Sequence, residues 1–276
     1  MREDTLNNGI HFISGLPRSG STLLAAILRQ NTRFHAGMTS PVGSLLTAML
    51  RQMSQENETS VFIDNERRES VLRAVVSAYY AREHADQVVF DTNRLWCSKL
   101  PTIKALYPKA RVIACVRNVP WILDSIERLV RRNHFEPSKI FNFDPTGTVY
   151  SRVEGLGAGS GMVGFAWNAL REAYFGEEAD RLMLLTYETL TTHPARALAA
   201  VYAFIEEPPF AHDFENIQFE ASEFDARLGA PGLHEVGRSV RPVTRQTVLP
   251  PDLVRRVEND SFWLNPEINV RGVTVI

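Results

Sequence analysis

Residues 15–24 read Gly15-Leu16-Pro17-Arg18-Ser19-Gly20-Ser21-Thr22-Leu23-Leu24, "GLPRSGSTLL". They follow the apolar run "IHFIS" (Ile10 to Ser14) and lead into "LLAAILRQ". That order predicts a strand, a glycine-rich turn and a helix. Gly15 turns tightly out of the strand, Pro17 stiffens the turn, and Gly20 lets the backbone approach a ligand. Ser21 and Thr22 open the helix, where several backbone N–H groups lack an internal partner. Those groups and the positive helix end favour an anion. Arg18 adds a permanent charge whose planar donor fork suits oxyanions.

The nucleoside-triphosphate pattern G-x-x-x-x-G-K-[ST] fits at Gly15, Gly20 and Thr22 but has Ser21 in place of its lysine. That lysine reaches the β- and γ-phosphates and offsets charge during phosphoryl transfer. Its absence leaves anion binding intact and argues against ATP or GTP hydrolysis. The expected ligand is an anion with less charge at the reacting group.

Further strands are predicted at "VVFD" (Val88 to Asp91), "RVIACV" (Arg111 to Val116) and "RLMLLTY" (Arg181 to Tyr187). They are continuous apolar runs, as in strands covered on both faces of a parallel sheet. Helices are predicted over Ser21 to Asn31, Pro41 to Ser54, Glu66 to His84 and Leu95 to Tyr107. Others follow over Pro120 to Arg132, Met162 to Glu178 and Thr191 to Ile205. Strand and helix in alternation mean an α/β fold: an open, mainly parallel sheet flanked by helices in three layers. One domain over residues 1–276 is expected, with a long loop insert at 133–161 and an irregular segment at 206–276. Long irregular segments in a compact domain are commonly lids or binding loops.

The chain's net charge of −2 attracts neither nucleic acid nor an anionic membrane. Any basic site is therefore local. The two cysteines, Cys97 and Cys115, have no CxxC partner and offer no zinc site. This usage fits a reducing compartment. The start, "MREDTLNNG", has no apolar core, and no segment approaches the ~20 apolar residues of a membrane span. A cytoplasmic protein without nucleic-acid or membrane partners is expected, and a homo-oligomer is compatible with the sequence.

"PRSGST" after a strand resembles the 5′-phosphosulfate loop, P-[KR]-S-G-[ST]-[ST], of sulfotransferases that use PAPS (3′-phosphoadenosine 5′-phosphosulfate). The likeness is closer to bacterial and protein-tyrosine members than to cytosolic members with a His base. The resemblance implies that Pro17, Arg18, Ser19, Gly20, Ser21 and Thr22 hold the 5′-phosphosulfate. It implies a P-loop-like fold, PAPS as sulfuryl donor released as PAP, and no metal. "ARVIACVRNVPWILDSIERL" resembles the family's 3′-phosphate site, with Arg117 at the strand end and Ser125 on the next helix. "YETLTTHPARALAAVYAFI" resembles a later family segment whose Tyr, here Tyr187, lines the nucleotide site. "EEPPF" replaces its usual ending. "GRSVRPVTRQTVLPPDL" resembles the C-terminal loop over the 3′-phosphate and adenine, which makes Ser239, Arg241 and Arg245 candidates.

Sulfuryl transfer also needs a base for the acceptor proton. Cytosolic members carry a K-T-H histidine where this chain has Asn93. Protein-tyrosine members carry a G-E-[ET] glutamate where this chain has Met38. Asp91, at the carboxyl end of a strand, is the first candidate base, and His35 the second. Arg94 is placed to stabilise charge on the sulfuryl group. Met38 to Met49, Phe135, Phe141, Phe143 and Tyr150 supply apolar surface for the acceptor, a small molecule or peptide with a hydroxyl or amine.

Two further readings remain open at this stage. One is a kinase-like phosphotransferase with a degenerate loop, in which Asp91 binds a metal. The other is a non-catalytic protein that binds PAP or another nucleotide. Gly159, Gly161 and Gly164 fit G-x-G-x-x-G but follow no strand, so a flexible hinge is the better account. Trp167 is expected in the core.

Overall fold

Neighbouring residues of the first apolar run enter different cores. Phe12 packs into one and Ile13 into another, because successive side chains of a strand point to opposite faces. The computed structural model describes residue 6 and residues 9–84, 86–142, 144–259 and 261–276. The strands are β1 (Ile10–Gly15), β2 (Phe34–Ala36), β3 (Val88–Thr92), β4 (Val112–Val116), β5 (Leu182–Thr186) and β6 (Thr274–Val275). They form one sheet in the order β2-β3-β1-β4-β5-β6. Each pairing is parallel. β4 repeats the division, with Val112, Ala114 and Val116 in one core and Ile113 and Cys115 in the other. Each large apolar side chain buried in this way contributes about 1.5–3 kcal/mol.

The helices are α1 (Ser21–Leu28), α2 (Val42–Gln52), α3 (Asn65–His84), α4 (Leu100–Leu106), α5 (Val119–Arg132), α6 (Val149–Gly157), α7 (Met162–Phe175), α8 (Tyr187–Thr192), α9 (Pro194–Phe204), α10 (Ser222–Arg227) and α11 (Pro251–Val257). α1 and α9 cover one face of the sheet, while α3, α4, α5 and α7 cover the other. This is the expected α/β sandwich. Among the described residues no helix is long and apolar enough to cross a membrane. Both cysteines are free and buried, and burial pushes the Cys115 thiol up to about 12.

Five local expectations change, one of them being that the irregular segment at 206–276 contains α10 and α11. β2 and β6 add short edge strands of 3 and 2 residues, too brief for an apolar period to register. The expected loop at 133–161 contains α6, started by a capping box in which Thr148 and Ser151 serve each other's backbone N–H groups. The helix expected over Thr191 to Ile205 is divided at His193, before Pro194 at the first turn of α9. The helix expected from Leu95 begins as a 3-10 turn over Arg94–Lys99.

The chain passes from β1 to the β2 edge, returns through β3, and crosses β1 to reach β4. Strand order therefore reverses beside β1. In open α/β sheets this is where the carboxyl ends of the strands leave a crevice for ligands.

Candidate functional site

The loop after β1 begins at the last pairing of β1 with β4. Gly15 pairs with Cys115 at φ +100°, and Leu16 N donates to Cys115 O at 2.9 Å. Arg18 itself sits at φ +59° and Gly20 at φ +93°. A left-handed conformation at a non-glycine residue is rare and marks a place where surrounding structure imposes it. Ser19 is buried, with its hydroxyl donating to Pro17 O at 3.3 Å. α1 then starts, with Leu24 N donating to Gly20 O at 2.8 Å.

Four neighbouring strand ends face one cavity of about 1180 Å³. Arg94 follows β3, the glycine-rich loop follows β1, Arg117 follows β4 and Tyr187 follows β5. Pro17, Arg18, Gly20, Ser21 and Thr22 line this cavity, and Ser19 lies beneath it. Arg18 Nε donates to Ser125 Oγ at 3.0 Å, so the loop after β1 and α5 share a wall of the cavity. The Arg117 guanidinium lies 3.9 Å from the Tyr187 ring centroid and reaches Arg18 O at 3.5 Å. The aromatic face holds the guanidinium in place without neutralising it. Arg117 Nε is buried with no hydrogen-bond partner. Burial, then the neighbouring Arg117, pushes the Arg18 guanidinium down to about 10. Crowded, under-solvated cations of this kind favour a bound anion.

The C-terminal candidates separate. Arg245 is the more enclosed: Nη2 pairs with Asp124 Oδ2 at 2.8 Å, and the guanidinium lies 5.9 Å from the Trp121 ring. Arg241 is exposed and pairs with Glu215 at 2.8 Å. Both line the cavity with Ser239. Asp124, which sequence reading missed, is fully buried on α5 beside Ser125. It also accepts from Arg128 Nε at 3.0 Å and Val248 N at 2.7 Å, which ties residues 245–248 to the helix. Its spacing of four from Arg128 was the available signal.

The two expected bases do not line the cavity. Asp91 lies inside β3, one residue before its end, so its side chain falls on the Val89 face. There Oδ2 accepts from Ser40 Oγ and Tyr80 OH at 2.5 Å each, and Oδ1 from Trp96 Nε1 at 2.7 Å. Burial pushes its carboxyl up, and it is wholly enclosed. Asp91 therefore ties β3 to α3 and the following turn. Asp91→Ala strands Trp96 N–H in the core and removes the acceptor that Ser40 and Tyr80 share. It should cost about 3 kcal/mol in urea unfolding and leave nucleotide affinity of the folded protein unchanged. His35, on β2, lies tilted against the Tyr80 ring with centroids 5.6 Å apart. Arg94 does line the cavity. Asn93 accepts from Leu95 N at 3.0 Å and so caps the 3-10 turn.

Of the expected acceptor surface, Met38 and Phe141 line the cavity, joined by Met162 and Phe165. Phe135 is 88% exposed and lines a separate small cavity, Tyr150 donates to Asp252, and Phe143 lies outside the described residues. Trp167 packs on Phe262 at 5.6 Å. Gly161 and Gly164 are close-packing positions, since a Cβ at either would lie 2.1 Å from a carbonyl oxygen at the end of α6. Sequence reading also missed His234, which lines the cavity, and its partner Asp225 on α10. No motif joins these two residues.

No curated protein sequence matches the chain. Among solved structures, a sulfotransferase domain from the curacin biosynthetic pathway is 19% identical, over 77% of this chain and 78% of that one, with a TM-score of 0.51. A sulfotransferase from Alicyclobacillus acidocaldarius is 13% identical over 79% and 90%, with a TM-score of 0.48. The sulfotransferase domain of the Synechococcus PCC 7002 olefin synthase is 18% identical over 91% and 94%, with a TM-score of 0.44. At such identities the first of these speaks for the fold. The sequence profile of the sulfotransferase family matches residues 11–212, which take in the loop after β1, Arg117 with Ser125, and Tyr187. On that match across most of its length, the chain belongs to the sulfotransferase family.

Proposed function

We propose that this sulfotransferase takes its sulfuryl group from PAPS and passes it to a hydroxyl or amine of an acceptor with apolar bulk, by direct in-line transfer. One observation carries the reading. Arg18 and Arg117, from the ends of adjacent parallel strands, face one cavity, and Arg117 keeps a buried N–H without a partner. An orphaned buried guanidinium N–H asks for an anion. Two such cations suit a nucleotide with phosphate at both ends of its ribose.

On this reading the backbone N–H groups of Gly20 to Thr22, with Arg18, hold the 5′-phosphosulfate. Arg117 and Ser125 hold the 3′-phosphate, with Arg245 and Ser239 beside them. PAPS supplies an activated sulfuryl group. Arg18 and Arg94 supply fixed positive charge where negative charge develops. Met38, Phe141, Met162 and Phe165 give the acceptor an apolar wall and exclude water from it.

Thermal shift with PAP, ADP and ATP, each with and without magnesium, tests the reading. PAP at a hundredfold excess over its Kd is expected to add about 2.7 kcal/mol, or roughly 5–10 °C. ADP should add less, and magnesium should change neither shift. Greater stabilisation by magnesium-ATP than by PAP would turn the reading toward phosphoryl transfer. Tight PAP binding without transfer to any phenol, alcohol or amine would leave a binding protein.

A further inference from the structure

We infer that His234 is the group that takes the acceptor's proton, and that Asp225 is the positioning residue that holds its ring. The inference rests on the proposed PAPS chemistry, and it starts from geometry. Asp225 is 2% exposed, and both of its carboxylate oxygens turn to His234. Oδ1 receives the ring Nδ1–H at 2.5 Å and Oδ2 the backbone N–H at 2.8 Å. A carboxylate can only accept, so the proton sits on Nδ1 and the lone pair on Nε2. Nε2 has no hydrogen-bond partner among the described residues and is not sealed from solvent. His234 lines the same cavity as Arg18, Arg94 and Met38. The Phe224 ring packs edge-on, 5.5 Å from the imidazole, and limits its rotation.

Burial, before the charges around the ring, keeps it neutral. Burial lowers the His234 pKa first, Asp225 raises it, and the Arg18 and Arg94 guanidinium groups lower it again. The net shift is downward, so at neutral pH the imidazole is unprotonated and able to accept. Nε2 removes the acceptor proton as the acceptor oxygen forms its bond to sulfur. The sulfur–oxygen bond to the 5′-phosphate breaks, its electron pair stays on that phosphate, and the imidazolium later gives its proton to water. This places a base on the C-terminal segment, although Asn93 and Met38 stand where other sulfotransferases carry theirs.

The test has two readouts. Nitrogen-15 NMR of the resting protein, with the ring assigned by its loss in His234→Gln, should show the neutral Nδ1–H form at pH 7.5. A charged ring, or the Nε2–H form, overturns the proposal whatever the activity. Transfer from PAPS is then compared for 2-phenylethanol, which keeps its proton, and 4-nitrophenol, which is largely ionised at that pH. His234→Gln should lose about 100-fold or more with the alcohol and about threefold or less with the phenol. Equal losses for both acceptors, or an unchanged alcohol rate, overturn it. The acid limb of the wild-type profile should lie below about 6.5, the ordinary histidine value. Asp225→Asn, which removes the anion that raises the His234 pKa, should move that limb lower still, a shift that a purely structural Asp225 would not cause. PAP affinity, measured by calorimetry in each variant, separates the two readings. Failure of the unaltered protein to bind PAP sinks the donor assignment, whereas normal PAP binding with an unchanged alcohol rate sinks only the base.

Discussion

Gly15→Ala is expected to lower the thermal midpoint by about 12 °C, corresponding to about 4 kcal/mol, and to abolish nucleotide binding. The added Cβ would lie 2.2 Å from Cys115 O, 2.6 Å from its N and 2.9 Å from its carbonyl carbon. Real Cβ atoms do not approach backbone so closely, and here the backbone cannot yield. Cys115 is in β4, which is paired with β1 on one side and β5 on the other. At φ +100° a side chain is strained even in open space, by about 1–3 kcal/mol. Pushing the strands apart also weakens the bond from Leu16 N to Cys115 O, worth about 1 kcal/mol. The loop that presents Arg18 starts at this point, so binding fails with stability. Gly272→Ala is the control. Gly272 has φ +66° with no atom within 4 Å of the added Cβ, and should cost about 1 kcal/mol. Differential scanning calorimetry of both variants decides the matter. A Gly15 variant no less stable than the Gly272 variant would show that the close approach of β1 and β4 carries no strain.

Arg117→Ala is expected to weaken PAP about 100-fold and adenosine 5′-phosphosulfate less than about threefold. A charge-assisted contact to phosphate is worth about 1.5–3 kcal/mol, and each 1.4 kcal/mol is tenfold in affinity. The variant loses that contact for the ligand with a 3′-phosphate. The other ligand has no 3′-phosphate to lose. The Tyr187 ring loses the guanidinium now 3.9 Å from its centroid, which loosens that wall slightly. Arg18, its pKa about 10, stays fully charged at neutral pH with or without Arg117 and keeps its hold on the 5′ group. The missing 3′ contact is the reason to expect discrimination between the two nucleotides. Titration calorimetry with both ligands reads it directly. Equal loss for the two would remove Arg117 from the 3′ end.

What could be read without coordinates was whatever lies in one short stretch of chain. The loop from Gly15 to Thr22 has its glycines, arginine and hydroxyls within eight residues, and the strand before it is a continuous apolar run. Arg117 and Ser125 are likewise separated by one strand end and two helical turns, distances that backbone geometry sets locally. Both stretches, and the alternation of strands with helices, were therefore visible, and with them the sandwich. Short elements were not: β6 has two residues, and α6 begins at a cap inside a Gly-rich stretch. Asp91 shows a different limit. The strand was evident, but the face its side chain joins depends on where β3 ends, and a shift of one residue reverses it. His234 and Asp225 needed the fold altogether. They stand nine positions apart, and the chain must turn back past α10 before one carboxylate can meet both the ring and the backbone of His234. Local patterning determined where anions can be held. Only tertiary packing decided which buried carboxylate is a strut and which imidazole faces the cavity, because those roles depend on neighbours that are distant in sequence.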